Sequence, residues 1–297
     1  VQTTVKDYIN RSISDILNAE INWPFTRAEG SVDAIAGKQL YSFASIASTL
    51  KYIDYDNVFL MPKDYITNGD FEISGSASIT NWATISGSPA ASSKFGNTLL
   101  LTSAKSSQEV EDLIVGKSYV ILIQTSGATL TLDVGTSSGG TQTKTTTLTI
   151  ASGNEVLLSE VTFTATATTH YVTFTESAGA TAYVKLVQLS ENITPIGLKY
   201  ISYEEYSERY RERDSRPDTD KFSDPEFIYT TYNDEIGLSP IPDTSNRTIK
   251  FDYYTSNVDL SAHGDTSIIP TRFESVINAR AKYYTYMFRS DVQTAQY

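Results

Sequence analysis

No cysteine occurs in the 297 residues, which removes disulfides, zinc–thiolate sites, iron–sulfur clusters and cysteine nucleophiles together. Histidine is nearly absent: His170 and His263 stand alone, too few for a multi-histidine metal site or a pair of histidine acid–base groups. No run of about 18 apolar residues is present, so no membrane-spanning helix is expected. The first residues, Val1-Gln2-Thr3-Thr4, have neither the basic nor the apolar region of a secretion signal, and none is expected; the Val start points to a processed or trimmed Met. Basic residues are scarce. Against 35 Asp and Glu there are 23 Lys and Arg, a formal charge of −12. Tight wrapping of DNA needs cations that displace counterions, so it is not expected; a surface that DNA passes without sticking remains open. A phosphate-binding loop is missing as well. The Gly-rich residues 135–140 sit in a Ser/Thr hairpin, not between a strand and a helix, and no Lys-Ser/Thr follows. Neither histidine has a nucleophile-elbow sequence to serve. Carboxylates for a glycosidase pair are plentiful, but no sequence feature builds a cleft around two of them. The chain is therefore expected to be no enzyme, with no cofactor and no metal site.

What is present is enough apolar residue, 40%, for real cores, and a length that suits two domains of about 150 residues. The composition changes along the chain. Between about residues 67 and 191 there is no Arg, although ten occur elsewhere, and 17 of the 20 Tyr also lie outside. About a third of this stretch is Ser or Thr, alternating with apolar residues over 129–134, 145–150, 156–163 and 170–174. Such alternation, broken by Gly-rich turns at 138–140 and 152–154, reads as antiparallel strands. Seven or eight strands form a β-sandwich, and a linker would not keep alternating Leu, Val, Ile and Phe.

The flanks, 1–66 and 192–297, share Tyr, Arg, Asp and Glu usage and read as one discontinuous α+β domain. In the simplest topology the sandwich replaces the tip of a hairpin formed by Tyr52–Met61 and Ile196–Ser202, the tolerated kind of insertion. A helix is expected over Thr4–Asn18, capped by Thr4, with Val5, Ile9, Ile13, Ile16 and Leu17 on one face. Trp23-Pro24-Phe25 follows as an apolar plug, and Gly37–Tyr41 as a turn into a strand. Tyr203–Arg213 reads as a charged helix with pairs such as Glu205–Arg209, ended by Arg216-Pro217-Asp218. Strands are expected at Glu226–Tyr232, Glu235–Leu238 and Thr248–Tyr254, the first two joined at Asn233-Asp234. The last helix runs from Pro270 to about Arg289, with Phe273, Ile277, Ala281, Tyr284 and Phe288 on its apolar face. The host then comprises N- and C-terminal helices with a small β-sheet. Its charged stretch is either a solvated face or a subunit boundary reaching a neighbour's carboxylates. Its tyrosines are either an aromatic core or, with Arg, interface residues.

Asn68-Gly69-Asp70-Phe71-Glu72, followed by Trp82 and closed by Ala182–Leu189, resembles the jelly-roll modules related to carbohydrate-binding modules. The resemblance covers about 66–190 and implies fold more than ligand. Lys185-Leu186 stands where an Asp is often found, which weakens any carried-over calcium site. Trp82 is the candidate glycan contact; the insertion is otherwise a protein-docking or decorative module, contacting capsid, fibres or host glycans. In the host, the ordered set Asn22–Phe25, Gly37–Tyr41, Asp54–Val58, Pro225–Tyr229, Ile236–Asp243, Phe251–Tyr254 and Ile269–Phe273 resembles the head-to-tail adaptor (connector, gatekeeper) proteins of short-tailed bacteriophages. That resemblance implies a virion protein assembled in the host cytoplasm. It also implies a homo-oligomeric ring, commonly of twelve copies, beneath the portal protein. The ring would extend the channel for double-stranded DNA and seat tail nozzle or fibre proteins, with no membrane partner and no catalytic residues. An acidic lumen would keep phosphates off its wall. Arg209, Arg213, Arg216, Tyr284 and Arg289 are the candidate oligomer and portal contacts. The alternative is a carbohydrate-binding or adhesion module carried on a small scaffold.

Overall fold

In the computed structural model, which describes residues 2–20, 22–72, 79–149, 156–216, 222–262 and 264–288, β-strands outnumber helices. Helix α1 (Gln2–Ala19) is followed by β1 (Arg27–Asp33), β2 (Leu40–Ser42), a single turn α2 (Phe43–Ile46) and the long strand β3 (Leu50–Pro62). Ten strands come next: β4 (Ala83–Ser86), β5 (Ala90–Ser92), β6 (Thr98–Leu101), β7 (Ala104–Val110), β8 (Ser118–Gly127), β9 (Leu130–Gly135), β10 (Lys144–Leu148), β11 (Leu157–Thr164), β12 (His170–Glu176) and β13 (Ala182–Glu191). The chain ends with β14 (Ile196–Gly197), β15 (Lys199–Tyr200), α3 (Tyr203–Arg209), α4 (Arg211–Asp214), β16 (Phe227–Thr230), β17 (Glu235–Ser239), β18 (Arg247–Thr255) and α5 (Glu274–Phe288). Two compact units result: Val1–Met61 with Pro195–Tyr297, and Pro62–Thr194. The expected boundaries at 66 and 192 move outward for a local reason. The Asp64 carboxylate accepts the amides of Ile66 and Leu189, both at 3.0 Å, and the Tyr65 amide donates to the Leu189 carbonyl at 2.8 Å. Ile66 lies in the sandwich core.

The first unit holds more sheet than expected. Two four-stranded sheets, ordered β1-β18-β3-β14 and β15-β16-β17-β2, share one core of Tyr41, Ile53, Val58, Leu60, Ile228, Ile236, Leu238, Ile249 and Phe251. β3 and β14 are neighbours, with Leu60 opposite Ile196 and Phe59 opposite Gly197. The chain therefore leaves for the second unit and returns from it on adjacent antiparallel strands. The expected strand Ile196–Ser202 is broken in two: β14 joins one sheet, and β15 pairs parallel with β16 in the other. The expected helix Tyr203–Arg213 is likewise interrupted at Tyr210. α1 begins at Gln2, so Thr4 lies inside it and is not its cap. Pro270 precedes a short 3₁₀ turn, Thr271–Phe273, from which α5 continues.

The second unit is a sandwich of two five-stranded sheets, β10-β9-β12-β7-β4 and β11-β8-β13-β6-β5, rather than seven or eight strands in all. The inward positions of each strand, such as Leu130, Leu132 and Val134 of β9 and Tyr119, Ile121 and Ile123 of β8, build one buried cluster, as period-2 alternation requires. The Asn68–Glu72 motif is a clasp for this core. Asn68 and Phe71 hold positive φ, and the Trp82 indole N–H donates to the Asn68 carbonyl at 3.2 Å. A Cβ on Gly69 would lie 2.0 Å from the Val187 carbonyl oxygen, so only glycine lets the turn lie against β13. Lys185 sits at a register shift between Val184 and Leu186.

Glu176 and His170 are among the ionisable groups buried in the sandwich. Burial pushes the Glu176 carboxyl up, but the amides of Ser103, Ala178 and Ala180 outweigh this and hold it below its ordinary value. Burial pushes the His170 imidazole below its ordinary 6.5, opposed in part by a backbone hydrogen bond at Ala167. A histidine whose folded-state pKa is depressed contributes stability in full above the unfolded value, and that contribution falls as pH drops below it. The Glu176 contribution is lost only at more acid pH, below the ordinary carboxylate value of 4.5. Between pH 7.5 and 5.5 the thermal midpoint of the sandwich is therefore expected to fall, and His170→Phe is expected to flatten that slope. A slope unchanged in the variant would remove His170 as its cause.

Candidate functional site

The surfaces available for function are built by three sets of side chains, two in the first unit and one in the second. The first set joins the terminal helices. α1 and α5 share the apolar residues Ile13, Leu17, Ile269 and Ile277, backed by Ile9, Ile16, Trp23 and Phe25. Trp23 stacks on Phe25 at 5.4 Å and donates its indole N–H to the Ile16 carbonyl at 3.1 Å, so the Trp-Pro-Phe plug closes one end of the pair. Beside it Asp15 accepts two bonds from Arg280, from Nε at 3.0 Å and Nη2 at 2.9 Å, and a third from the Tyr284 hydroxyl. The Tyr284 hydrogen bond is the largest influence holding the Asp15 carboxyl below its ordinary value; burial opposes it, and Arg280 and Arg11 add to it. Arg11 also lies over the Tyr284 ring at 4.4 Å.

The second set is the charged stretch. Ser202 caps α3 by accepting the Glu205 amide at 3.1 Å. Arg209 pairs with Glu205 at 3.0 Å and Arg216 with Glu212 at 3.1 Å, both one helical turn apart, so these two arginines lie on the outside of their own segment. Arg213 turns inward. Its Nε donates to Asp214 at 2.9 Å and its Nη2 to the Ser239 hydroxyl at 2.7 Å. The Gln39 side-chain amide donates through Nε2 to the Tyr206 hydroxyl at 2.8 Å and to Asp214 at 3.2 Å. Tyr206 stacks on Tyr229 at 3.9 Å, and a Cβ on Gly237 would meet the Tyr229 ring at 2.1 Å. Tyr232 extends this aromatic layer to the surface, donating to Glu204 at 2.5 Å.

The third set lies on the sandwich. Trp82, the candidate glycan contact, is 7% exposed and packs between Phe71 and Phe174 at 5.3 and 5.7 Å. Its ring belongs to the core, which corrects the expectation. What the surface does offer is an open groove of about 370 Å³ where Tyr171, Glu109, Ser107, Asn81 and Ser138 converge around the Trp82 edge. Tyr171 donates to Glu109 at 2.8 Å. Ser107 and Thr173 share a buried hydrogen bond at 2.8 Å, and Thr145 donates to the buried Asp133 at 2.8 Å.

Of the candidate contacts, Arg209, Arg213 and Arg216 thus share one segment, but only the first and last face outward. Tyr284 is buried in the α1–α5 seam, where it bonds to Asp15 and supports the helix pair. Arg289 and His263 lie outside the described residues. Sequence reasoning missed Asp15 and Gln39. Among the described residues, no group of three or more His, Asp or Glu is arranged to hold a metal ion, and no helix is long and apolar enough to cross a membrane.

The sequence model of the SU10 adaptor protein family matches residues 143–297, just over half of the chain. The chain belongs to the SU10 adaptor protein family. The match runs from the start of β10 through the C-terminal part of the first unit. No curated protein matches it. Solved structures similar to part of this chain include the following three. The enzymatically active domain of tailspike protein 4 of bacteriophage CBA120 is 14% identical over 43% of this chain and 21% of its own, with a TM-score of 0.34; this chain thus spans about a fifth of that tailspike chain. TmCBM61 in complex with β-1,4-galactotriose is 17% identical over 44% of this chain and 99% of its own, at 0.33. A family 16 carbohydrate-binding module is 14% identical over 43% and 99%, at 0.34.

Asp15→Ala removes the acceptor shared by Arg280 and Tyr284 and is expected to cost about 2 kcal/mol of stability. Tyr284→Phe, which removes one donor, is expected to cost about 1 kcal/mol. Urea unfolding of the two variants beside the parent protein checks both.

Proposed function

We propose that this chain is a structural adaptor of a phage virion: copies assemble into a ring beneath the portal protein, extend the DNA channel and seat the tail, with the sandwich displayed outward. Membership of an adaptor family carries the reading. The architecture supports it. The sandwich is grafted where two neighbouring strands of the host sheet leave and return, so the host can keep its own core and surfaces. The acidic composition suits a channel that conducts DNA without retaining it. Exposed Arg209 and Arg216 are the arginines free to face a neighbouring subunit or the portal in this reading, and Arg289 remains a candidate with them. A chain with residues 63–194 replaced by a short Gly-Ser link is expected to assemble, alone or on a purified portal ring, as the parent does. Native mass spectrometry reads the result; a truncated chain that stays folded and monomeric while the parent forms rings would overturn the assignment of assembly to the host.

A second reading concerns the sandwich alone. The groove, with the Tyr171 ring beside Glu109, Asn81 and Ser138, suits a neutral saccharide, which asks for one stacking surface and several hydrogen-bonding groups. On a glycan array the isolated sandwich is expected to lose any binding on Tyr171→Ala, without loss of thermal stability. Binding that survives this change would place the sugar elsewhere.

A further inference from the structure

In the sandwich groove, Tyr171 is held on one side and open on the other. Across the ladder it faces Glu109 of β7 and Gly135 of β9, so its cross-strand neighbours on that sheet face are a carboxylate and no side chain at all. The Glu109 carboxylate accepts the Tyr171 hydroxyl at 2.8 Å. That bond occupies the hydroxyl and leaves the ring as what Tyr171 offers a ligand. A Cβ on Gly135 would lie 2.4 Å from Gln142 Oε1 and 2.5 Å from the Gly140 carbonyl, so only glycine lets the turn after β9 fold back and bring Ser138 to the groove. The charge here is of one sign. No Lys or Arg lines the groove. Lys105, on the same face of β7, is taken up by the Gly139 carbonyl at 2.9 Å. Glu109 is exposed, and among the described residues neither it nor Glu111 pairs with a Lys or Arg. The hydrogen bond to Glu109, with the charges of Glu109 and Glu111 behind it, holds the Tyr171 phenol above its ordinary value.

We propose that Glu109 sets the specificity of this groove: it fixes the Tyr171 ring as the stacking surface, and its charge turns away glycans that carry carboxylate groups, so that neutral chains are admitted and acidic ones are not. The proposal rests on the saccharide reading above and adds the residue that chooses among saccharides. Both roles follow from one geometry. A sugar ring stacked on Tyr171 carries its substituents past the carboxylate that holds the ring. A hydroxyl there donates to the second carboxylate oxygen, a charge-assisted bond. A uronate there meets a like charge with no base beside it.

The test uses the full chain on a glycan array printed with neutral oligosaccharides and, at the same linkages, oligosaccharides that carry a uronic acid. The parent is expected to bind the neutral member of a pair about tenfold more tightly, a ratio that shrinks as salt is raised. Glu109→Gln keeps an acceptor for Tyr171 and removes the charge; it is expected to hold neutral binding within about twofold and to reduce the ratio to about twofold. Glu109→Ala removes the acceptor as well and is expected to weaken neutral binding about tenfold. Glu109 is exposed, so both variants are expected to keep the thermal midpoint of the parent. A ratio that Glu109→Gln leaves unchanged, or neutral binding that Glu109→Ala leaves unchanged, would overturn the proposal. A parent that prefers the uronic acid member, with binding still lost in Tyr171→Ala, would overturn it and leave the groove reading standing. A parent that binds no glycan, or whose binding survives Tyr171→Ala, would overturn both.

Discussion

Adjacent pairing of β3 and β14 is the constraint on which the architecture depends. Neighbouring strands lie about 4.8 Å apart, so the chain that departs after Pro62 must come back within a strand's width at Ile196. Everything between those points has to be a structure whose own ends meet. A sandwich closed by β13 and clasped by Asn68 meets that demand, because the Asp64 carboxylate ties its first residues to Leu189 near its last. The host, for its part, needs only what a hairpin needs at that edge. The sandwich core and the host's sheet core therefore coexist in one chain without sharing a strand.

Much of this was legible in the composition. The disappearance of Arg and the dilution of Tyr across the insertion marked it, and alternation found strands such as β9, β11 and β12 because each has one face in the core and one outside. β1 escaped because Arg-Ala-Glu-Gly-Ser-Val-Asp has almost no apolar face; it is a strand because Gly30 makes room for the Phe251 ring on the paired strand, a fact that belongs to the pair and not to the segment. The break between β14 and β15 was invisible for a similar reason. Both pieces are two residues long, and which sheet each joins is decided by partners far along the chain.

The candidate contacts were read by residue type, and type alone does not separate an arginine that waits for a neighbour from one already engaged. Arg209 and Arg216 find acids one turn away, which spacing reveals. Arg213 finds Ser239, and Tyr284 finds Asp15 from 269 residues away, which spacing does not reveal. Trp82 illustrates the same limit on the sandwich: its position after the Asn-Gly-Asp-Phe-Glu motif was a sign of the fold, and its ring serves that motif from inside, leaving Tyr171 on the surface.

The brevity of β14 has a mechanical side. Any pull on the sandwich is carried into the host through two threads. On the outgoing side the load enters a 13-residue strand flanked by β18. On the returning side it meets two residue pairs and then the hydrogen bond from the Leu198 amide to Val58. Under tension the returning thread is the one that yields first, lengthening the tether by a few residues while β3 and the core beneath it hold.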